Sequence, residues 1–261
     1  MKKILVIGAN SYIAKKFYDY IIQNKVENII VDLVSATNGE WMKKDFYPYD
    51  VVIHLAAIVH IKEKSNMSEI YDEINHKLAV NVAKKAKESR VRQFIFISTA
   101  AVFGMNSGYI TKLSKPNPVT LYGKSKLMAE MDIIKLKDKN FLIAILRPPM
   151  IYGEDSNGNY RRLQRLALLM PVFPKYHNKR SMLHIDVFSQ CLIDLIENER
   201  YGFYYPKDDT YSDVCKLIVG IRKQMGKKTV LISKFNFIID FLIRYNKTFE
   251  KIFGNYIYDM D

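Results

Sequence analysis

The chain has 261 residues, 49% of them hydrophobic and 26% charged, enough to bury a full core in one large or two modest domains and unlike a disordered chain. Its formal net charge of +13 would attract nucleic acid or an anionic membrane, yet the lysines are scattered through helix-like segments such as Val82 to Arg92 and Lys112 to Lys137. A solvated basic surface suited to an anionic substrate is therefore expected, with no nucleic-acid partner. Cys191 and Cys215 have neither disulfide nor metal-ligand spacing, the first apolar run is too short for a signal peptide, and no apolar run reaches membrane-span length, so a reduced, cytoplasmic, metal-free protein is expected.

In chain order, Ile4-Leu-Val-Ile7 reads as a strand and Gly8-Ala-Asn-Ser-Tyr-Ile-Ala14 as a glycine turn. The helix after it sets Ile13, Phe17, Tyr20 and Ile21 on one face. Strand, glycine turn and helix together offer backbone N–H groups and a helix N-terminus to a pyrophosphate. Ala14 stands where a last glycine packs helix on strand, a substitution the pattern tolerates. The next strand, Asn28-Ile-Ile-Val-Asp32, ends in an acid placed to bond an adenosine ribose. A carboxylate there repels a 2′-phosphate and favours NAD over NADP, unless a nearby Arg or Lys overrides it. The stretch from Val34 to Tyr49 is short and irregular, leaving little room for another strand and helix, so this dinucleotide half is abbreviated.

Val51-Val-Ile-His-Leu-Ala-Ala57 is a buried strand whose Ala56 and Ala57 let a flat cofactor approach the backbone. His54 and His60 are read as packed residues, since a histidine inside an apolar strand is more often core than catalyst. A long helix from Ser68 to Ser89 sets Ile70, Ile74, Leu78, Val82 and Ala86 inward, with Asn75 beside them as a surface amide or a polar group turned toward the cofactor. Phe94-Ile-Phe-Ile-Ser-Thr-Ala-Ala-Val-Phe-Gly104 reads as a strand ending in hydroxyls, so Ser98 and Thr99 sit at the ligand-binding end of a parallel sheet. Leu121 to Glu130 follows as a helix, with Tyr122 and Lys126 four apart on one face. A phenol is a poor base at its free pKa of about 10, but a neighbouring ammonium favours the phenolate. Phe141 to Leu146 is another buried strand. Alternating short apolar strands and helices argue for an α/β fold, a doubly wound parallel sheet covered on both faces.

These motifs, with Val102-Phe-Gly104, Tyr122-Gly-Lys-Ser-Lys126 and Leu146-Arg-Pro-Pro-Met-Ile-Tyr-Gly153, resemble in the same order the extended short-chain dehydrogenase/reductases. The similarity is greatest to their nucleotide-sugar epimerase/dehydratase branch. The resemblance implies Tyr122 as acid/base, Lys126 as the residue that tunes it and holds the nicotinamide ribose, and Thr99 as the hydroxyl bonding the reacting oxygen, with Ser98 the second candidate. It places Gly8, Ser11, Tyr12 and Ile13 in the pyrophosphate loop, Leu55, Ala56 and Ala57 along the cofactor, and Pro149 beside the nicotinamide. In 4,6-dehydratase members an Asp-Glu pair follows the catalytic Thr; here Ala100 and Ala101 stand instead, so water elimination is not expected.

Residues 1–152 are expected to hold NAD or NADP, and 153–261 to form a smaller substrate-binding region, partly packed back on the first. By the resemblance, Asn159 and Arg180 bind the diphosphate of a UDP- or dTDP-sugar, Arg supplying a forked donor; a plain exposed loop charge is the alternative for Arg180. The stretch Phe235 to Phe253, rich in Phe, Ile and Tyr with interspersed Lys and Arg, is expected to pack on its own domain or on a partner subunit. Peripheral membrane contact and a homodimer both stay open. Function narrows to reduction of a 4-keto deoxy amino sugar in surface-polysaccharide synthesis, with a UDP-sugar 4-epimerase and a non-catalytic dinucleotide-binding protein as alternatives.

Overall fold

A computed structural model describes residues 1–59, 67–156, 159–234 and 236–260. His60 and Phe235 lie outside the described residues. The chain runs β1 (Lys2–Ile7), α1 (Tyr12–Gln23), β2 (Ile29–Val34), a one-turn α2 (Glu40–Lys43) and β3 (Val51–His54). Next come α3 (Ser68–Tyr71), a π-helical turn (Asp72–Lys77) and α4 (Leu78–Glu88), then β4 (Gln93–Ile97), β5 (Gly108–Thr111), α5 (Leu121–Ile134) and β6 (Leu142–Leu146). The last third holds β7 (Met150–Tyr152), α6 (Asn159–Leu169), β8 (Val172–Pro174), β9 (Met182–His184), α7 (Ile185–Glu197) and β10 (Gly202–Tyr204). It ends with α8 (Val214–Gln224), β11 (Val230–Ile232), α9 (Asn236–Tyr245), α10 (Lys247–Phe253) and β12 (Tyr256–Asp259).

Six strands form one parallel sheet in the order β10-β6-β4-β3-β1-β2. Period-two alternation builds both its faces. Phe94 and Phe96 of β4 point with Ile143 and Ile145 of β6 toward Ala79, Val82, Ala83 and Ala86 of α4 and Ala129 and Ile133 of α5. Ile95 and Ile97, with Ala144 and Leu146, point the other way, toward Phe17 and Ile21 of α1 and Phe188 and Leu192 of α7. Each such apolar side chain taken out of water contributes roughly 1.5–3 kcal/mol, and this two-sided burial selects strands apolar along their whole length.

The segment between β2 and β3 holds only α2, so β2 is the sheet edge, as its shortness and irregularity implied. The sheet gains an unanticipated strand from the far end of the chain: β10 pairs with β6 through Gly202↔Ala144 and Tyr204↔Leu146. Residues after 152 thus complete the dinucleotide-type sheet and, through α7, cover one of its faces. β12 pairs in parallel with β5, bringing the C-terminal segment against the loop that follows β4.

The inward stripe expected along residues 68–89 is corrected at its start. Ile70 is exposed, while Tyr71 and Asn75 are buried. The buried stripe runs through Tyr71, Asn75, Ala79 and Ala83 instead, one residue later than the expected one, its four-residue step carried through the π-helical turn.

Candidate active site

The order of strands reverses between β1 and β3, where ligands bind to such sheets. Gly8 closes β1 at φ 114°, and a Cβ there would stand 2.8 Å from the Ala56 nitrogen. Any other residue would force the two strand ends apart; with glycine the backbone lies open to a flat or charged ligand. Leu55 and Ala56 both donate backbone N–H to the Ile7 carbonyl, at 2.9 and 3.1 Å. Ser11 caps α1 by accepting from the Ala14 nitrogen at 3.1 Å, a contact worth about 1 kcal/mol that aims the helix N-terminus at this crevice. Ile13 packs against the core of the same face. These features fit a dinucleotide.

Asp32 lies on β2 with half its side chain in solvent. It accepts a short hydrogen bond from the Tyr49 hydroxyl and pairs with Lys44 at 3.6 Å. The basic neighbour that could offset its charge therefore exists, and comes from the abbreviated segment. Tyr12, first residue of α1, turns its hydroxyl to the acidic side of the crevice, where burial and then Asp155 and Asp186 push it up to about 12.

Thr99 follows β4 and caps a 3₁₀ turn over Ala100–Phe103, its hydroxyl accepting from the Ala101 nitrogen at 3.1 Å. Thr120 caps α5 through the Gly123 nitrogen at 3.0 Å. At Gly123 a Cβ would stand 2.6 Å from the Ala101 carbonyl oxygen, so this glycine lets α5 sit directly on the turn carrying Thr99. α5 consequently brings Tyr122 beside the turn that carries Thr99. Burial pushes the Tyr122 phenol up to about 12, against a lowering effect of the nearby Thr99 hydroxyl.

Lys126 is 2% exposed; its ammonium donates to the Ile97 carbonyl at 2.8 Å and lies 4.5 Å from the centre of the Phe96 ring. Burial draws it down to about 7, opposed by the Glu130 charge. The lowering of Tyr122 by Lys126 that the four-residue spacing predicted is not what this geometry shows: desolvation dominates the phenol, and the ammonium is held at the end of β4. Pro149 is buried just past β6, and the Pro148 carbonyl accepts from the Ala100 nitrogen at 2.9 Å.

Ser98 departs from its expected place. Its hydroxyl donates in a short hydrogen bond to Glu130, which also receives Arg147 Nε at 3.1 Å and Nη2 at 2.6 Å. Adjacent strand residues point to opposite faces, so only one hydroxyl of the pair can reach the crevice. His54 is a packed residue, stacked on Phe96 at 6.0 Å and drawn down to about 3 by burial and then Lys126.

On the substrate side, Asn159 opens α6, and its side chain lies outside the described residues. Arg180 is half-buried; its Nη1 donates to the Gly254 carbonyl at 2.7 Å, and its guanidinium stands 5.4 Å from the centre of the Tyr256 ring. Burial draws it down to about 10, and it has no carboxylate partner among the described residues. The Lys251 ammonium is lowered by burial and by the charges of Arg162 and Arg180. A cleft of about 840 Å³ lies beside these elements, lined by Tyr152, Asp155, Tyr160, Arg161, His184 and Gln224 among others, and not by Thr99, Tyr122 or Lys126. Among the described residues no group of His, Cys, Asp and Glu could hold a metal ion.

Residues 4–186 match the NAD dependent epimerase/dehydratase family. The chain belongs to that family. UDP-glucose 4-epimerase of Vibrio cholerae is 28% identical over 225 residues, covering 76% of this chain and 68% of that protein. An N-acetyl-alpha-D-glucosaminyl-diphospho-ditrans,octacis-undecaprenol 4-epimerase of Escherichia coli O157:H7 is 25% identical over 248 residues, covering 86% and 73%. In fold, the chain is similar to a dTDP-4-dehydrorhamnose reductase of Bacillus anthracis solved with NADP, with a TM-score of 0.72 at 19% identity over 90% of this chain and 85% of that one. As an epimerase/dehydratase-family member it is an NAD(P)-dependent enzyme.

In this epimerase/dehydratase-family chain Asn75 takes the inward one of its two expected places, and two further contributions escaped the sequence. Asn75, within the π-helical turn, is buried; its Oδ1 accepts from the Ile58 nitrogen at 2.7 Å, and its Nδ2 donates to the Ile58 carbonyl and to Ser125, each at 3.2 Å. Ser125 in turn donates to the Tyr122 carbonyl at 3.0 Å, so Asn75 ties the strand-end loop to the Tyr122 helix. Glu130 and Arg147 were legible only as a helix acid and a strand-end base. Lys251 lay inside a stretch that reads as amphipathic helix, with no local sign that the charges of Arg162 and Arg180 act on it.

Proposed function

We propose that the chain reduces the 4-keto group of a nucleotide-activated deoxy amino sugar, with NADH or NADPH as reductant, in surface-polysaccharide synthesis. The observation that carries this reading is the close packing of the Tyr122 helix on the Thr99 turn through Gly123, which sets both side chains at the ligand-binding end of the sheet. The bound dinucleotide supplies the hydride. Tyr122 gives its phenolic proton to the C4 oxygen as the new C–H bond forms, and Thr99 holds that oxygen in place. Lys126, its ammonium held at the end of β4 by the Ile97 carbonyl, takes the nicotinamide ribose. Solvent returns the proton, and the sugar leaves as the alcohol. Gly8, Ser11, Tyr12 and Ile13 border the pyrophosphate, Leu55 to Ala57 and Pro149 flank the ring systems, and Asp32 takes the ribose. Residues 153–261 hold the sugar nucleotide, with Asn159, Arg180 and Lys251 toward its diphosphate.

Ala100 and Ala101 put no carboxylate in the turn after Thr99, which supports a reaction without water elimination. The edge position of β2 and the solvent exposure of Asp32 support a loosely walled adenosine pocket and a cofactor that exchanges every cycle, as a reductase requires. A 4-epimerase is the second reading, favoured by the similarity to UDP-glucose 4-epimerase. Tyr122 would then first take the C4 hydroxyl proton and later return it, with the cofactor retained. Incubation with UDP-sugars, with and without NADH or NADPH, separates the two. Loss of reduced cofactor in proportion to product is expected; interconversion of epimers without net oxidation would replace the reductase reading by the epimerase.

A further inference from the structure

We propose that the outer face of α9 docks this protein on an anionic lipid bilayer. α9 is apolar on two opposite sides. Ile239 and Ile243 pack inward with Phe173 and Phe253. At about 100° per residue, Phe237, Ile238, Phe241 and Tyr245 gather on the side turned away. They are 68%, 41%, 61% and 75% exposed, and the rings of Phe241 and Tyr245 lie 4.8 Å apart. The packing expected for this stretch thus accounts for only half of its apolar surface. The small sheet beside it is bare too: Val230 of β11 and its register partner Val172 of β8 are both exposed, and Asn236 Nδ2 ties α9 to this sheet through the Lys175 carbonyl at 2.8 Å.

A surface helix ordinarily turns charge to solvent, and a contiguous apolar face marks a surface that is to be covered. Charge indicates the cover. Between Lys223 and Lys247 stand six exposed cations and one carboxylate, Asp240. Asp240 is already engaged, accepting the Tyr176 hydroxyl at 2.8 Å. Arg244 flanks the apolar stripe, and Lys234 and Lys247 stand at the two ends of α9. A second copy docked by two-fold symmetry would set this cationic rim against itself. Anionic headgroups would instead neutralise it while the aromatic rings enter the acyl boundary, the arrangement of a helix lying in the interface plane. The chain's net charge of +13 acts in the same direction. No helix among the described residues is long and apolar enough to cross a membrane, so the contact is peripheral.

Docking is separate from the catalytic reading, and a Tyr122→Phe variant should dock as the parent does. The test is cosedimentation of the full chain with phosphatidylcholine vesicles, with and without phosphatidylglycerol, over a range of salt. The chain should pellet with the anionic vesicles and release as salt rises. The double change Phe237→Gln and Phe241→Gln, which keeps good helix formers, should lower the partition by roughly tenfold or more with an unchanged melting temperature. Lys234→Glu with Lys247→Glu should lower it on anionic vesicles and leave the fold intact. Parent protein that stays in the supernatant, or variants that pellet as the parent does, would overturn the proposal. So would light scattering that shows a dimer split by the double Phe change with no vesicle binding, since the face would then be a subunit contact.

Discussion

Glu130 and Arg147 form an ion pair closed off from solvent, with Arg147 Nη2 2.6 Å from Glu130 Oε2. The pair joins α5, which carries Tyr122, to the end of β6, and through Ser98 to the end of β4. Arg147 is also sandwiched among Phe103, Phe203 and Tyr205, with ring centres 4.6 to 5.8 Å away. Removing one partner would strand the other charge. Glu130→Ala is expected to cost about 3–5 kcal/mol of stability, readable as a shifted urea midpoint. A loss below about 1 kcal/mol would show that the pair behaves like an exposed one and does not hold these elements together.

Tyr122 and Thr99 should separate chemistry from binding. Tyr122→Phe removes only the ionisable hydroxyl, so turnover should fall by about 10²–10⁴ while NADH affinity, read by fluorescence titration, stays nearly the same. Thr99→Val keeps the shape and should mainly lower kcat. Full turnover by the phenylalanine variant would remove Tyr122 from the mechanism.

Lys126 should leave a signature in stability against pH. Its ammonium falls from an ordinary 10.5 to about 7 on folding, so between those values the unfolded chain holds a proton that the folded chain lacks. Stability should therefore rise as pH climbs from about 7 toward 10.5. Tyr122 acts oppositely and higher, its contribution being fully present below pH 10 and lost as pH passes through about 12. Lys126→Met should flatten the rise between pH 7 and 10, an effect of a few kcal/mol across the window. Denaturant melts of both proteins at several pH values check it; parallel curves would mean that the ammonium is not desolvated.

Asp32 and Lys44 should set the preference between the two cofactors. The carboxylate disfavours a 2′-phosphate and the ammonium at 3.6 Å offsets it. NADH is expected to bind the parent protein more tightly than NADPH. Lys44→Ala should widen that gap by roughly threefold to tenfold, and Asp32→Ala should close it. Paired titrations decide; equal effects of Lys44→Ala on both cofactors would place Lys44 away from the 2′-position.

Local pattern sufficed for β1, β2, β3, β4 and β6 of the sheet and for the residues that border them. Glycine after an apolar run, an acid at the next strand's end, hydroxyls ending β4 and the Tyr122–Lys126 spacing are short-range features, set by backbone sterics and strand or helix period. They were legible without coordinates, as was the missing unit between β2 and β3. What only the tertiary structure decided depends on residues distant in sequence and on how far each is removed from water. Thr99 rather than Ser98 faces Tyr122 because Glu130, thirty-two residues on, claims the serine. Lys126 titrates near 7 because the packed sheet strips its hydration, an effect no spacing rule contains. β10 enters the sheet, Lys251 comes near Arg180 and one side of α9 is left bare because the last third folds back on the first, and that return is a matter of long-range packing rather than of any local run of residues.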